Sequence, residues 1–184
     1  MATFHSSVSS SNEPPDLMFW LCDPEGQPPS FEVSVVLLKP RSRGTVRLRS
    51  ADPAEPPAIH LPSLSDPSDV QRLVEGYRRG YEVAGRPEIR RHCAGPLPPE
   101  PSADAELRDL IRADSYSIPH VVGTCSMGPR SDDGAVVDAS GRVHGTEALS
   151  IADASIMPDI PSGFTHIPTI MIAERLSEQL ASQL

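Results

Sequence analysis

The residues around His166 combine a side chain that exchanges protons with the expected start of a helix. Thr165 and His166 directly precede Ile167 and Pro168, and proline suits the first helical position, where its missing N–H costs nothing. A helix N-terminus carries unpaired N–H groups and roughly half a positive charge, so it favours an anionic group on a ligand. We therefore predict that His166 exchanges protons beside an anion-binding position.

A second histidine, His120, opens the segment His-Val-Val-Gly-Thr-Cys-Ser-Met-Gly-Pro. An imidazole with an ordinary pKa of about 6.5 is mostly neutral at pH 7 and can accept a proton. Taken alone, a histidine beside proline and valine is more often a hydrogen-bonded structural residue. A metal site formed by His120, Cys125 and His166 is a weaker alternative, because their spacings are not those of standard sites.

The elements that must position these histidines begin with strands. Residues 31–38 alternate between apolar and polar side chains, which predicts a strand with one buried face. Residues 45–50 alternate in the same way, and we expect the two segments to pair as an antiparallel hairpin with Val46 and Leu48 facing inward. Further short strands are expected between residues 135 and 153.

Three helices complete the predicted framework. Asp66 suits an N-cap and Pro67 the first helical position, and apolar residues continue at helical spacing until Gly85. A second helix is expected from Ser102. The last helix is expected over residues 168–183.

The composition narrows the classes of function. The net charge of -9 disfavours nucleic acid and anionic membrane surfaces, since both would repel the chain. The 3 cysteines lack the spacing of a disulfide framework, and neither a secretory signal nor a membrane-spanning run appears. We therefore expect a cytoplasmic protein without nucleic-acid or membrane partners and without a bound metal.

Two segments, residues 120–129 and 153–174, together resemble the C-terminal signature of the glucose–methanol–choline (GMC) family of flavin oxidoreductases. Between them lie Val-Val-Asp, ending at Asp138, and Gly-Arg-Val-His-Gly, starting at Gly141. Residues 38–53 are also similar to the hairpin of the family's substrate domain. The order of these pieces makes the resemblance specific, and it covers residues 31–184.

The resemblance implies an enzyme that oxidises the CH–OH group of an alcohol and transfers a hydride to the flavin N5 of FAD. It implies that His120 is the general base and that His166 orients the substrate oxygen or shares the proton. The positions that it implies for FAD contacts are Asp153, Ala154, Ile167, Pro168 and Thr169. This agrees with the chemistry, because an alcohol is too weak an acid to ionise alone and a neutral imidazole can accept its proton.

The resemblance also implies an α+β fold. It consists of an antiparallel sheet with packed helices, as in a GMC substrate domain, plus the C-terminal strand and helix of a Rossmann-like FAD-binding domain. We expect a loosely ordered arm over residues 1–30, a substrate-binding portion over 31–118 and part of the FAD-binding domain over 119–184. Within the arm, the apolar run of residues 17–21 is the exception, since it could pair as a strand or cover an apolar surface.

The chain contains no G-x-G-x-x-G fingerprint for the adenosine diphosphate of FAD. We therefore expect it to be the C-terminal portion of such an enzyme, which binds FAD only together with an N-terminal FAD-binding segment or subunit. The alternative is a non-catalytic module of the same fold that binds a ligand or another protein.

Overall fold

The computed structural model describes residues 1–22, 32–93 and 95–182. The chain divides into two compact units, the first formed by residues 1–43 and 62–116 and the second by 44–61 and 117–184. The sequence-based division put residues 44–61 in the substrate-binding portion, whereas in the structure they belong to the second unit. The predicted domain boundaries rest on the family resemblance rather than on compactness, and they stay predictions.

The first unit contains a three-stranded antiparallel sheet with the order β1-β2-β3. Its strands are β1 (Ala2–Phe4), β2 (Leu17–Cys22) and β3 (Glu32–Leu37). Residues 2–4 form a paired strand where a loosely ordered arm was expected, whereas β2 falls on the apolar run of residues 17–21 that the prediction excepted, and it pairs along the whole of β3. Residues 23–30 of that arm lie outside the described residues.

Three helices belong to the first unit: α1 (Pro67–Ala84), α2 (Pro87–Arg90) and α3 (Asp104–Asp114). As predicted, α1 starts after Asp66, whose side chain accepts a hydrogen bond from the Ser68 N–H. Gly76 lets α1 approach the sheet, because a Cβ there would lie 2.5 Å from Val35 Cγ1. The buried core between α1 and α3 consists of Val70, Leu73, Val74, Leu107 and Ile111.

The predicted hairpin between residues 31–38 and 45–50 does not form. Instead, β4 (Thr45–Arg47) pairs with β5 (Ala58–His60), and β3 pairs with β2. The expectation that Val46 and Leu48 face inward is also wrong, because they are 49% and 87% exposed.

The second unit is built around α4 (His166–Ala181) and a short 3-10 helix (Ala154–Ile156). The predicted strands between residues 135 and 153 are only isolated bridges, which join Val137 to Met127 and Val143, and Arg142 to Ser150. The core consists of Val137, Ile156 and Leu176.

The α+β fold with an antiparallel sheet and packed helices is confirmed. The assignment of a C-terminal strand and of α4 to a Rossmann-like FAD-binding domain stays a prediction. Within the described ranges, no helix has the length and apolar character needed to cross a membrane.

Candidate active site

The site is centred on the imidazole of His120, which is partly buried and held from two sides. Its Nδ1 lies 2.9 Å from Thr165 Oγ1, a hydrogen-bonding distance. Its ring centroid lies 4.9 Å from that of Phe164, with the two planes inclined at 32°. The second ring nitrogen, Nε2, has no hydrogen bond to any residue that the structure describes.

The chain after His120 is fixed by main-chain hydrogen bonds to the short 3-10 helix. The N–H groups of Cys125 and Met127 donate to the carbonyls of Ser155 and Ile156, both over 2.9 Å. Gly123 permits this close approach, because its φ is +87° and a Cβ there would lie 3.2 Å from the carbonyl oxygen of Met157. The local requirement for glycine thus sets the path of the chain that leads from His120.

The 3-10 helix is itself started by Asp153, one of the predicted cofactor-contacting residues. The Asp153 carboxylate accepts a hydrogen bond of 2.8 Å from the Ser155 N–H, which is a cap on the first turn. Asp153 is exposed and Ala154 is partly exposed. The predicted contact of these two residues with FAD stays a prediction.

A tight turn anchors α4 from the side opposite its solvent-exposed residues. Asp138 Oδ1 accepts the N–H groups of Ser140 and Arg142, and the bond from Arg142 contributes most to holding the Asp138 pKa below its usual value. Gly141 has a φ of +73°, and a Cβ there would lie 2.6 Å from the Ile151 carbonyl oxygen and 2.8 Å from Leu176 of α4. The turn therefore fits against α4 only with glycine at its corner.

The N-terminus of α4 differs from the prediction in its first residue. The helix begins at His166, so Pro168 occupies its third position rather than its first. Thr165 is the N-cap residue, but within the described residues its side chain makes no capping hydrogen bond. The Thr165 carbonyl accepts from the Thr169 N–H at 2.9 Å and from Thr169 Oγ1 at 2.7 Å.

The structure brings His120 and His166 to the same end of α4, because the side chain that binds His120 belongs to the residue directly before His166. The His166 side chain is exposed, and it has no hydrogen-bonding partner among the described residues. No hydrogen bond joins the two imidazoles within the described chain. Their joint action as a catalytic pair stays a prediction.

The first turns of α4 present apolar side chains to solvent. Ile167, Ile170 and Met171 are 62%, 45% and 65% exposed. With a spacing of three and four residues they lie along one side of the helix, while the buried Leu176 faces the core. We call these three residues the open face of α4.

Sequence reasoning missed Phe164 and Thr165, the two residues that hold His120. Phe164 carries no chemistry of its own, and a threonine before a helix predicts a cap rather than a histidine partner. The sequence offered no signal for this contact, because Pro168 was expected at the first helical position and only the structure places it third.

The remaining candidates have structural surroundings. His144 Nε2 lies 3.0 Å from the Gly128 carbonyl oxygen, a hydrogen-bonding distance. The described parts of the chain contain no group of three His, Cys, Asp or Glu side chains that could hold a metal ion. The alternative metal site with Cys125 therefore gains no support.

Comparison with known proteins gives the family. The GMC oxidoreductase model matches residues 40–173. Oxygen-dependent choline dehydrogenase 1 of Chromohalobacter salexigens is 38% identical over 152 residues, which are 82% of this chain and 27% of that protein. Alcohol dehydrogenase [acceptor] of Pseudomonas putida is 39% identical over 150 residues, which are 80% of this chain and 27% of that protein.

Solved structures agree with this result. Pyridoxine 4-oxidase from Mesorbium loti superposes with a TM-score of 0.78 at 27% identity, covering 90% of this chain and 34% of that one. A fungal aryl-alcohol oxidase gives a TM-score of 0.75 at 28% identity, covering 89% and 27%. This chain spans about a quarter of the length of the curated relatives named above. It belongs to the GMC oxidoreductase family.

Proposed function

We propose that this chain supplies the catalytic histidines and the cofactor-facing helix end of an FAD-dependent oxidoreductase that acts on the CH–OH group of an alcohol. The observation that carries the proposal is the position of His120, bonded to Thr165 at the N-terminus of α4, next to the exposed His166. The names of two relatives, a choline dehydrogenase and an alcohol dehydrogenase, support an alcohol as substrate.

The N-terminus of α4 fits a cofactor that gains negative charge. Its first-turn N–H groups have no intrahelical acceptor, and within the described chain the Thr165 side chain does not cap them. These donors and the helix dipole would stabilise an anionic ring edge. The backbone at Ile167, Pro168 and Thr169 would then lie beside the flavin, with Asp153 and Ala154 at a second contact.

When bound, FAD would accept the hydride that leaves the alcohol carbon. The residues of this chain would accept the proton of the substrate hydroxyl. His120 offers Nε2 to the substrate hydroxyl, since its Nδ1 is engaged by Thr165. His166 can donate a hydrogen bond to the same oxygen and orient it. Proton acceptance of this kind is typically worth about 10²–10⁴-fold in rate.

We also propose that FAD binds only when an N-terminal FAD-binding segment or subunit joins this chain. Two observations support this: the chain spans about a quarter of the length of its relatives, and the open face of α4 leaves three large apolar side chains in solvent. Exposed apolar surface of this kind commonly marks an interaction site. The predicted cytoplasmic location stays a prediction.

The test is reconstitution. The chain is mixed with FAD and with the N-terminal part of the Pseudomonas putida relative, and the visible flavin band is followed anaerobically after addition of choline or benzyl alcohol. We expect the band to bleach with either alcohol, and His120→Gln to slow bleaching about 10²–10⁴-fold. His166→Gln should slow it less, because an orienting hydrogen bond remains available to the amide.

His92→Gln is the control, since His92 is an exposed histidine of the first unit and its variant should bleach at the normal rate. Bleaching that survives His120→Gln unchanged would exclude the proposed base. If no flavin band develops with the complement, the proposed assembly is wrong.

A second candidate function is a non-catalytic module that binds an apolar ligand, and one observation favours it. The first unit has a surface groove of about 510 Å³, a volume in the range of ligand sites. Its lining includes Phe4, Phe19, Leu21 and Val83. Saturable binding of 1-decanol in the absence of FAD, abolished by Phe19→Asp, would favour this function over the catalytic one.

A further inference from the structure

We infer that Thr165 is a positioning residue that sets the tautomer of His120. In this arrangement the Thr165 hydroxyl accepts the Nδ1–H of His120, so the lone pair of the neutral ring lies on Nε2. This inference rests on the proposed function, because the tautomer affects catalysis only if the lone pair on Nε2 accepts the substrate proton.

Within the described chain, the Thr165 hydroxyl is not used by the helix that it precedes. A capping threonine has extended backbone angles and accepts from the second or third helical N–H. Thr165 instead has φ -82° and ψ -8°, in the helical region, and the third helical residue is Pro168, which has no N–H. The hydroxyl is thus available to His120.

The direction of the hydrogen bond between Thr165 and His120 decides which ring nitrogen can accept a proton. A hydroxyl can donate or accept, whereas a protonated imidazole can only donate from both nitrogens. If Thr165 Oγ1 accepts from His120 Nδ1, the same bond serves the neutral ring and the protonated ring without rearrangement. If the hydroxyl donated instead, Nε2 would carry the hydrogen and could not act as the base.

Both partners of this hydrogen bond are held in place by their surroundings. Thr165 is only 5% exposed, so water cannot readily replace it as a partner. Its backbone is fixed by the two bonds from Thr169 to its carbonyl, and the His120 ring packs on Phe164. A half-turn of the imidazole about its Cβ–Cγ bond would put carbon Cδ2 in the place of Nδ1 and lose the bond of 2.9 Å to Thr165.

The test compares Thr165→Val, which keeps the shape and removes the hydroxyl, with Thr165→Ser, which keeps the hydroxyl. The full chain is labelled with ¹⁵N, and the ring nitrogens are read at neutral pH from their long-range couplings to the ring protons. We expect His120 to carry hydrogen on Nδ1 in the native chain and in Thr165→Ser. In Thr165→Val we expect Nε2–H, the form that unconstrained imidazole prefers.

His144 is an internal control, because its Nε2 lies against the Gly128 carbonyl, which only accepts. Its hydrogen should be on Nε2 in every variant, and an unchanged His144 signal shows that the fold is intact. Should Thr165→Val unfold the chain, Thr165→Ala removes the same hydroxyl with less crowding, and the native chain and Thr165→Ser still report the tautomer directly.

Hydrogen on Nε2 of His120 in the native chain, or an unchanged tautomer in a folded Thr165→Val, would overturn the inference. In the reconstituted enzyme we expect Thr165→Val to slow bleaching on the order of tenfold, as for other residues that orient a histidine, and Thr165→Ser to remain within about twofold. The expected tautomers together with normal bleaching by His120→Gln would refute the proposed function and leave the tautomer assignment standing.

Discussion

Each compact unit holds a polar cluster, and the two clusters differ in how many of their hydrogen-bonding groups are used. In the first unit, Arg72 lies between Asp16 and Asp69, with nitrogen-to-oxygen distances of 3.3 and 2.5 Å. All three side chains are at most 5% exposed. In the second unit, His120 uses one ring nitrogen and the exposed His166 uses neither with any described residue.

The cluster of the first unit also binds the backbone. Asp69 accepts hydrogen bonds from the N–H groups of Arg41 and Ser42 and from the Ser42 hydroxyl. Burial by itself would raise the pKa of Asp69, but these bonds and the Arg72 guanidinium outweigh it and hold the pKa below its usual value. The same balance, with Ser6 and Arg72 as donors, lowers the pKa of Asp16.

The comparison separates a structural cluster from a chemical one. The charged side chains of the first unit pair with one another and with the backbone away from water, so this cluster joins separate segments of the chain. Among the described residues, the cluster of the second unit leaves ring nitrogens without a hydrogen-bonding partner and the start of α4 without a side-chain cap, so these groups are available to a ligand.

The largest effect is expected for Asp69→Asn. The amide group of asparagine would place two N–H donors against the groups that now donate to Asp69. Arg72 would also lose one of its two carboxylate partners. We expect the free energy of unfolding to fall by about 3–5 kcal/mol, as for other broken buried ion pairs. Urea denaturation followed by circular dichroism measures it.

The control is Asp109→Asn on α3, where the side chain is 83% exposed and its ion pair with Arg112 is long, at 3.6 Å. This variant should change the free energy of unfolding by less than about 0.5 kcal/mol.

The stabilising contribution of Asp69 should depend on pH. Since the Asp69 pKa is lowered, this contribution is complete above the unfolded pKa near 3.9. This contribution is lost as the pH falls through the folded pKa of Asp69. The free energies of unfolding of the native chain and of Asp69→Asn should therefore converge in acid. If the difference in free energy of unfolding between the native chain and Asp69→Asn stayed constant down to about pH 2, this explanation would be wrong.

Within the second unit, we expect a large loss of stability when Gly141 is replaced. A Cβ there would meet the Ile151 carbonyl at 2.6 Å, and main-chain atoms cannot give way as a flexible side chain can. We expect Gly141→Ala to cost more than about 2 kcal/mol by urea denaturation, the sum of a positive-φ term of about 1 kcal/mol and the clash.

Gly145 is the matched position, because its φ is +77° and nothing lies within 4 Å of a Cβ there. Gly145→Ala should lower the free energy of unfolding by only about 1 kcal/mol, the conformational cost of a positive φ. Equal costs at the two glycines would mean that the contact with Ile151 is not what fixes the turn.

The smallest effect is expected on the open face of α4. Met171→Gln should change the free energy of unfolding by less than about 0.5 kcal/mol, because the side chain is 65% exposed. Leu176→Ala on the same helix, where the side chain is 4% exposed, should cost about 2–5 kcal/mol.

If the open face binds the FAD-binding part, Met171→Gln should still weaken reconstitution with that part, measured as the concentration needed for half of the flavin band. Unchanged reconstitution would place the contact elsewhere on the chain.

The features that the sequence predicted correctly depend on neighbours in the chain. Asp66 and Pro67 start α1 because a cap and a proline act within one turn. The partner of β3 was mispredicted because pairing is decided between distant segments. Residues 45–47 alternate well, but β2 offers six residues of pairing against their three. The position of Thr165 beside His120 was out of reach for the same reason, since 45 residues separate them.

Phe164, Thr165 and His166 are consecutive, and each contributes something different: a ring face, a buried hydroxyl and an exposed imidazole. One residue added inside this tripeptide would rotate the downstream side chains by about 100° around the helix axis. The three roles therefore depend on the spacing of these residues as well as on their types, because an insertion between Thr165 and His166 would separate the buried hydroxyl from the exposed imidazole.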